Sequence, residues 1–219
     1  MIARVRLIPM LLLVLSALAL ARPALAGPPL LCHPFEIGSA ASLPWSGSTS
    51  WFEGTAGYDV ARLVGDTEAL LTPATPVLVR METLRRASIY AAHDAKVAAA
   101  LLETLTAKAQ ASKAAGRPDA LALLDAAYVT EALRQITMIG GVPGFKDRVA
   151  AIGDVVSNAD GWQYMKASLA ARPGDPALEF AAALIAADKD RAAYRDHAQR
   201  ARAGAGKDAL LARNLSHID

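Results

Sequence analysis

The stretch TPVLVRMETLRRASIYAAHD, residues 75–94, carries the strongest helix signal in the chain together with its densest set of polar side chains. Thr75-Pro76 offers an N-cap followed by proline at the first helical position. Downstream, Met81, Leu84, Ser88, Ala91, Ala95, Ala98, Leu102 and Leu105 recur at three- and four-residue intervals, the stripe of an amphipathic helix. The pattern continues to Gly116-Arg117-Pro118, a stop followed by a restart. An unbroken helix over 76–115 would be about 60 Å long at 1.5 Å per residue, which is long for a compact domain. A bend near residues 92–96 would shorten it, although no proline or glycine stands there to force one.

The rest of the C-terminal three quarters reads the same way. Leu121, Leu124, Tyr128, Ala132, Ile136 and Ile139 form a second stripe that ends at Gly140-Gly141, and residues 145–156 form a shorter helix. Asp160-Gly161-Trp162-Gln163 has the layout of a capping box. Arg172-Pro173-Gly174-Asp175-Pro176 closes one helix and opens the next, Asp190 caps a further one, and Gly204 to Gly206 sets off a last short helix. No segment alternates with the period of two expected of strands. The fold class predicted is all-α, built of antiparallel helix pairs in residues 58–219, since short turns make neighbouring helices antiparallel.

Upstream the character changes. Residues 1–26 hold Arg4 and Arg6, an apolar run, and Ala24-Leu25-Ala26, the three parts of a secretory signal with cleavage after Ala26. The run is shorter than the roughly 20 residues of a membrane span, so no span is expected in the mature chain. Lipidation of Cys32 is the lesser alternative, because Leu31 rather than a small residue precedes it. The chain has 23 Lys+Arg and 21 Asp+Glu. Removing Arg4, Arg6 and Arg22 leaves 20 against 21, a formal charge of −1 that gives nucleic-acid binding no electrostatic support. Residues 27–57 form an arm rich in Gly, Ser and Pro, yet it holds Leu30, Leu31, Phe35, Ile37, Leu43, Trp45, Trp51 and Phe52. So apolar a segment should be ordered, with Cys32 largely buried against the helices.

Two turns, Val142-Pro143-Gly144 and Arg172-Pro173-Gly174, lie 30 residues apart, and Gly204 follows Pro173 by 31, the arithmetic of a helix-pair repeat. The segment ARPGDPALEFAAALIAA, residues 171–187, resembles the boundary between two tetratricopeptide repeats. Pro173 stands where that family ends one repeat, and Asp175-Pro176-Ala177 where it opens the next. The resemblance covers about residues 162–215 and implies helix pairs that form grooves for partners. LCHPFEIGSAASLPW with LVRMETLRRASIYA also resembles a group of secreted bacterial proteins, which implies export and no particular activity.

Two sets of residues could carry chemistry. Cys32-His33 pairs a thiol with an imidazole, but adjacent side chains on an extended chain point to opposite faces. A redox pair or a haem attachment site would need a second cysteine, and the chain has one. A metal would need ligands that only folding could add. The second set is Arg80, Glu82, Arg85, Arg86, Tyr90, His93 and Asp94. Glu82, Arg86, Tyr90 and His93 fall at spacings of four, four and three, on one side of a helix. That side could be a solvated face of Glu–Arg pairs, the leading expectation, an anion or general-base site, or a polar seam covered by the aromatic arm. His197 and His217 read as surface residues. Gly204-Ala205-Gly206-Lys207 follows no strand, so it is no phosphate loop.

The sequence therefore predicts an exported, periplasmic or secreted, non-catalytic binding or scaffolding protein of the cell envelope. No cofactor or metal is expected, and a protein partner is. The alternative is an enzyme or metal-dependent protein using Cys32 and His33 or the polar cluster of residues 80–94. Candidate binding residues are Cys32, His33, Glu82, Arg86, Tyr90 and His93.

Overall fold

The computed structural model describes residues 27–46, 51–141 and 146–219. The expected signal segment, residues 1–26, lies outside these residues, as do the Val142-Pro143-Gly144 turn and Phe145. Among the described residues the chain is all α-helical and no strand occurs.

After a 3-10 turn over Val60–Arg62, the helices are α1 (Leu63–Leu70), α2 (Val77–Ala91), α3 (Ala95–Ala114), α4 (Ala120–Ile136), α5 (Val149–Val156), α6 (Gly161–Ala171), α7 (Pro176–Ala186), α8 (Arg191–Gly204) and α9 (Ala209–Asn214). Short 3-10 turns over Ala205–Lys207 and Leu215–Ile218 flank α9. None of these helices is long and apolar enough to cross a membrane.

Aspartates start most of them. Asp94, Asp119, Asp160, Asp175, Asp190 and Asp208 each accept a hydrogen bond from a backbone N–H in the first turn of the helix that follows. Such a cap satisfies a donor that the helix cannot pair internally and contributes about 1 kcal/mol. Asp94 decides the question of the long helix. The chain leaves α2 at Ala92 and restarts at Ala95, with Lys96 N–H donating to Asp94 Oδ1 at 2.8 Å. The break is made by a cap rather than by proline or glycine. Thr75 does not cap α2. Its hydroxyl donates to Leu70 O and accepts from Thr72 N–H, closing the turn after α1, and Pro76 takes the cap position.

Helix α4 is the centre of the molecule, in contact with α2, α3, α5, α6 and α7. Only Ala122 and Arg134 of its residues escape burial. Both predicted stripes face inward, with Ala95 alone half-buried. Helix α6 approaches α4 closely at Gly161. A Cβ there would lie 2.6 Å from Glu131 Cγ and 2.8 Å from Ala127 O, so only glycine fits. Gly161 N–H donates to Glu131 Oε1 at 3.0 Å, which ties the start of α6 to the centre. Helices α7 and α8 form an antiparallel hairpin across residues 187–190, and every residue of α7 after Pro176 is buried.

The arm completes the core instead of trailing from it. Leu30, Leu31, Phe35, Ile37 and Leu43 are buried in the same cluster as α2, α4 and α7. Burying these five side chains removes apolar area equivalent to roughly 10 kcal/mol before the entropy of ordering the segment is set against it.

Candidate functional site

The candidate residues fall into three environments. Glu82 and Arg86 belong to a buried polar seam on α2. Glu82 is fully buried, and each of its carboxylate oxygens accepts two hydrogen bonds. Oε1 receives Arg86 Nε at 2.7 Å and Arg85 Nη2 at 3.0 Å, and Oε2 receives Arg85 Nε at 2.8 Å and the Phe35 N–H at 3.0 Å. Arg85, also fully buried, donates onward to Leu31 O and Trp51 O, and Arg86 to Leu43 O. The Arg85 guanidinium lies 4.6 Å from the Trp45 ring centroid. The solvated-face expectation is thus corrected. The arm covers this part of α2, and the carbonyls of the irregular arm, which no helix or sheet pairs, are satisfied by arginine donors instead.

Other buried groups hold the arm in the same way. Tyr128 OH donates to Leu30 O at 2.7 Å, and Gln135 Oε1 accepts the Leu30 N–H at 2.9 Å. Arg80 lies outside the seam. It makes a two-pronged pair with Asp125 at 2.9 and 2.6 Å and donates to Thr72 O and Leu71 O. Burial pushes the Asp125 carboxyl up to about 6 against the pull of Arg80. This pair fastens the α1–α2 turn to α4.

Tyr90 and His93 stand one turn further on, where the cover ends. Tyr90 OH donates to Pro44 O at 2.7 Å and accepts the Thr55 N–H at 2.8 Å, so its hydroxyl is fully engaged, and the residue is buried although it lines the cleft. Gly54 lies flat against that ring, where a Cβ would come within 2.2 Å of it. Tyr58 packs on Tyr90 with ring centroids 4.5 Å apart, and its OH donates to Asp66 Oδ2 at 2.9 Å. Burial and that carboxylate push the Tyr58 phenol well up from its usual range. Around these rings opens a cleft of about 460 Å³, bounded by Phe52, Glu53, Tyr58, Tyr90, His93 and Arg148. His93 is exposed overall. Partial burial of its ring, and then the charge of Arg148, push its pKa down, so it is neutral at pH 7.

Cys32 and His33 mark the third environment. Cys32 is half-buried, less than the sequence predicted. A turn in which Cys32 N–H donates to Pro28 O swings Sγ back beside Gly27 rather than under the helices. Burial still pushes the thiol up to about 11, overcoming the nearby Arg85, so it stays protonated at neutral pH and supplies no thiolate. His33 lines a cleft of about 280 Å³ with Asp188, Arg191, Tyr194, His217 and Asp219.

Neither histidine expected at the surface is exposed. His217 is half-buried, its ring stacked on Phe35 at 4.8 Å and edge-on to His33 at 6.2 Å. His197 is buried, with Nδ1 2.6 Å from Glu179 Oε2 and Trp162 edge-on at 5.7 Å. His197 shares the Tyr194, Ala198, Ala201 stripe of α8, a signal present in the sequence. His217 has no such stripe. Among the described residues, no three His, Cys, Asp or Glu side chains are grouped so as to hold a metal ion.

This chain matches no family model, no curated protein and no solved structure.

Proposed function

We propose that the chain is an exported, non-catalytic binding protein of the cell envelope, built from helix pairs of tetratricopeptide-like arrangement, and that it takes an apolar side chain of a protein partner in the cleft at the end of α2. One observation carries the reading. The hydrogen-bonding capacity of the polar cluster is used internally, on the arm, so what the end of α2 and the segment packed on it offer to a ligand is the aromatic surface of Phe52, Tyr58 and Tyr90 with His93 at its rim. A protonated Cys32 thiol supports binding over nucleophilic chemistry. A cleft of about 460 Å³ is in the range of roughly 300–1,000 Å³ that ligand sites occupy.

Cross-linking and pull-down from envelope extract tests the proposal, with wild type compared against Arg148→Glu and Thr55→Arg at the cleft rim. A partner captured by the wild type and lost in both variants supports it. Capture that survives both variants moves the binding surface elsewhere, and no reproducible partner overturns the reading. Fractionation, with the N-terminal mass of the exported chain, tests cleavage after Ala26 in the same preparation.

A further inference from the structure

The C-terminal segment clasps the arm. Asn214 Oδ1 accepts the Glu36 N–H at 2.8 Å, and its Nδ2 donates to Glu36 O at 3.0 Å, a two-pronged pairing between residues 178 positions apart. Three residues later His217 lays its ring on Phe35, with Phe180 edge-on at 6.3 Å. The end of the chain is itself fixed from α8, since Tyr194 OH donates to Ile218 O at 2.8 Å and an Arg202 N–H donates to the same carbonyl. The arm residues around Phe35 are therefore enclosed between α2 on one side and this clasp on the other.

We infer that His217 is an acid-sensitive latch, whose neutral ring closes the C-terminal clasp over the arm and whose protonation opens it. The geometry requires the neutral ring. Its Nδ1 is buried without a hydrogen-bond partner. A bare ring nitrogen tolerates that position, whereas a charged N–H there would be a buried donor with no acceptor. The ring is also wedged between two phenyl groups and faces a second imidazole, His33.

The charged groups around it do not reverse this. Glu82 on α2 favours the cation, while Arg85 on α2 and His33 on the arm oppose it. Asp188, Arg191 and Tyr194, from the α7–α8 turn and α8, line the adjoining cleft together with Asp219. Burial dominates, followed by His33, and the imidazole is held down to about 4 against an ordinary 6.5. The sign follows directly. A group that must be neutral in the closed state adds stability above pH 6.5 and loses it as pH falls from 6.5 towards 4. By linkage, the closed-to-open ratio drops about a hundredfold between pH 7 and pH 4. Leu30, Leu31 and Tyr128 remain as a second anchorage of the arm, so opening is confined to the stretch around residues 33–38.

Hydrogen exchange read by mass spectrometry on the full chain, corrected for the intrinsic pH dependence of exchange, tests this. In the wild type, protection of residues 33–38 should fall about a hundredfold relative to α4 between pH 7 and pH 4. In His217→Phe, which keeps the stack and cannot titrate, that relative loss should vanish. An equal loss in His217→Phe would assign the effect to carboxylates such as Asp188 and Asp219 and overturn the latch. So would an absence of loss in the wild type, or a loss shared by α4. If His217→Phe does not fold, the wild-type imidazole titrated by NMR decides. A midpoint well below 6.5 supports the latch, and one near or above 6.5 overturns it.

Discussion

Two parts of one helix share the same polar pattern and have opposite fates. Glu82 and Arg85 in the middle of α2 are closed off from water and, with half-buried Arg86, hold the arm's backbone, while Tyr90, itself buried, and the exposed His93, at the spacings of four and three that continue their row, line a cleft. Helical spacing puts side chains on one side of a cylinder. It does not say how far along that side a covering segment reaches. Here the cover is residues 30–45, whose carbonyls accept from Arg85, Arg86 and Tyr90 in turn. Beyond Pro44 and Trp45, Gly54 and Thr55 still lie over Tyr90, and only past it, at His93, does this side become surface.

The comparison breaks most sharply at Glu82. Replacing it with Ala leaves Arg85 buried without its anion and the Phe35 N–H without its acceptor. Removing one member of a buried ion pair costs about 3–5 kcal/mol, and that loss is expected in the denaturant midpoint of Glu82→Ala. The double variant Glu82→Met with Arg85→Met removes both charges and should lose less than Glu82→Ala alone. A loss under about 1 kcal/mol in the single variant would mean that water reaches the seam and that the two halves of α2 are alike.

Tyr90 sits at the boundary and should respond in between. Tyr90→Phe keeps the ring that packs on Tyr58 and Gly54 but removes the hydroxyl joining Pro44 O to the Thr55 N–H. Both partners are only partly buried, so water can replace the lost bonds, and the expected loss is about 1 kcal/mol by thermal or chemical denaturation. A loss as large as that of Glu82→Ala would extend the closed seam to the cleft. No loss at all would detach residues 44–55 from the stability of the helical body.

How much of this was legible in the sequence depends on whether the signal is local. The caps at Asp160, Asp175 and Asp190 and the two apolar stripes were readable, because a cap and a stripe are set within a few residues of chain. The cap at Asp94 was equally local. There, however, the stripe of small residues runs through without a change of phase, and no glycine or proline marks the break. The burial of Glu82 and Arg85 is different in kind, since it depends on a segment some 40–50 residues upstream folding back across α2. An apolar arm with no regular structure needs donors for its carbonyls, and a helix with three arginines within seven residues supplies them. That complementarity was present in the sequence, but only as one of three readings. His217 lay beyond reach, because its partners Phe35 and His33 come from the opposite end of the chain.

His93 carries the smallest expected effect and the finest test of the comparison. It continues the row of Glu82, Arg86 and Tyr90, so a seam running the whole length of α2 would bury it and make its loss costly. The cover stops before it, its ring edges the cleft and is exposed overall, and at pH 7 it bears no charge that a partner must balance. His93 N–H donates to Tyr90 O and belongs to the backbone, so it survives any side-chain replacement. His93→Ala should therefore change stability by less than about 0.5 kcal/mol in denaturant titrations at pH 7. Its depressed pKa fixes how the effect varies with pH. The wild-type ring resists protonation in the folded chain, so acidification below its ordinary 6.5 should destabilise the wild type slightly relative to His93→Ala, with the gap closing at higher pH. A loss of several kcal/mol at pH 7 would instead place His93 inside a continuous seam, and the distinction between the two halves of α2 would fall with it.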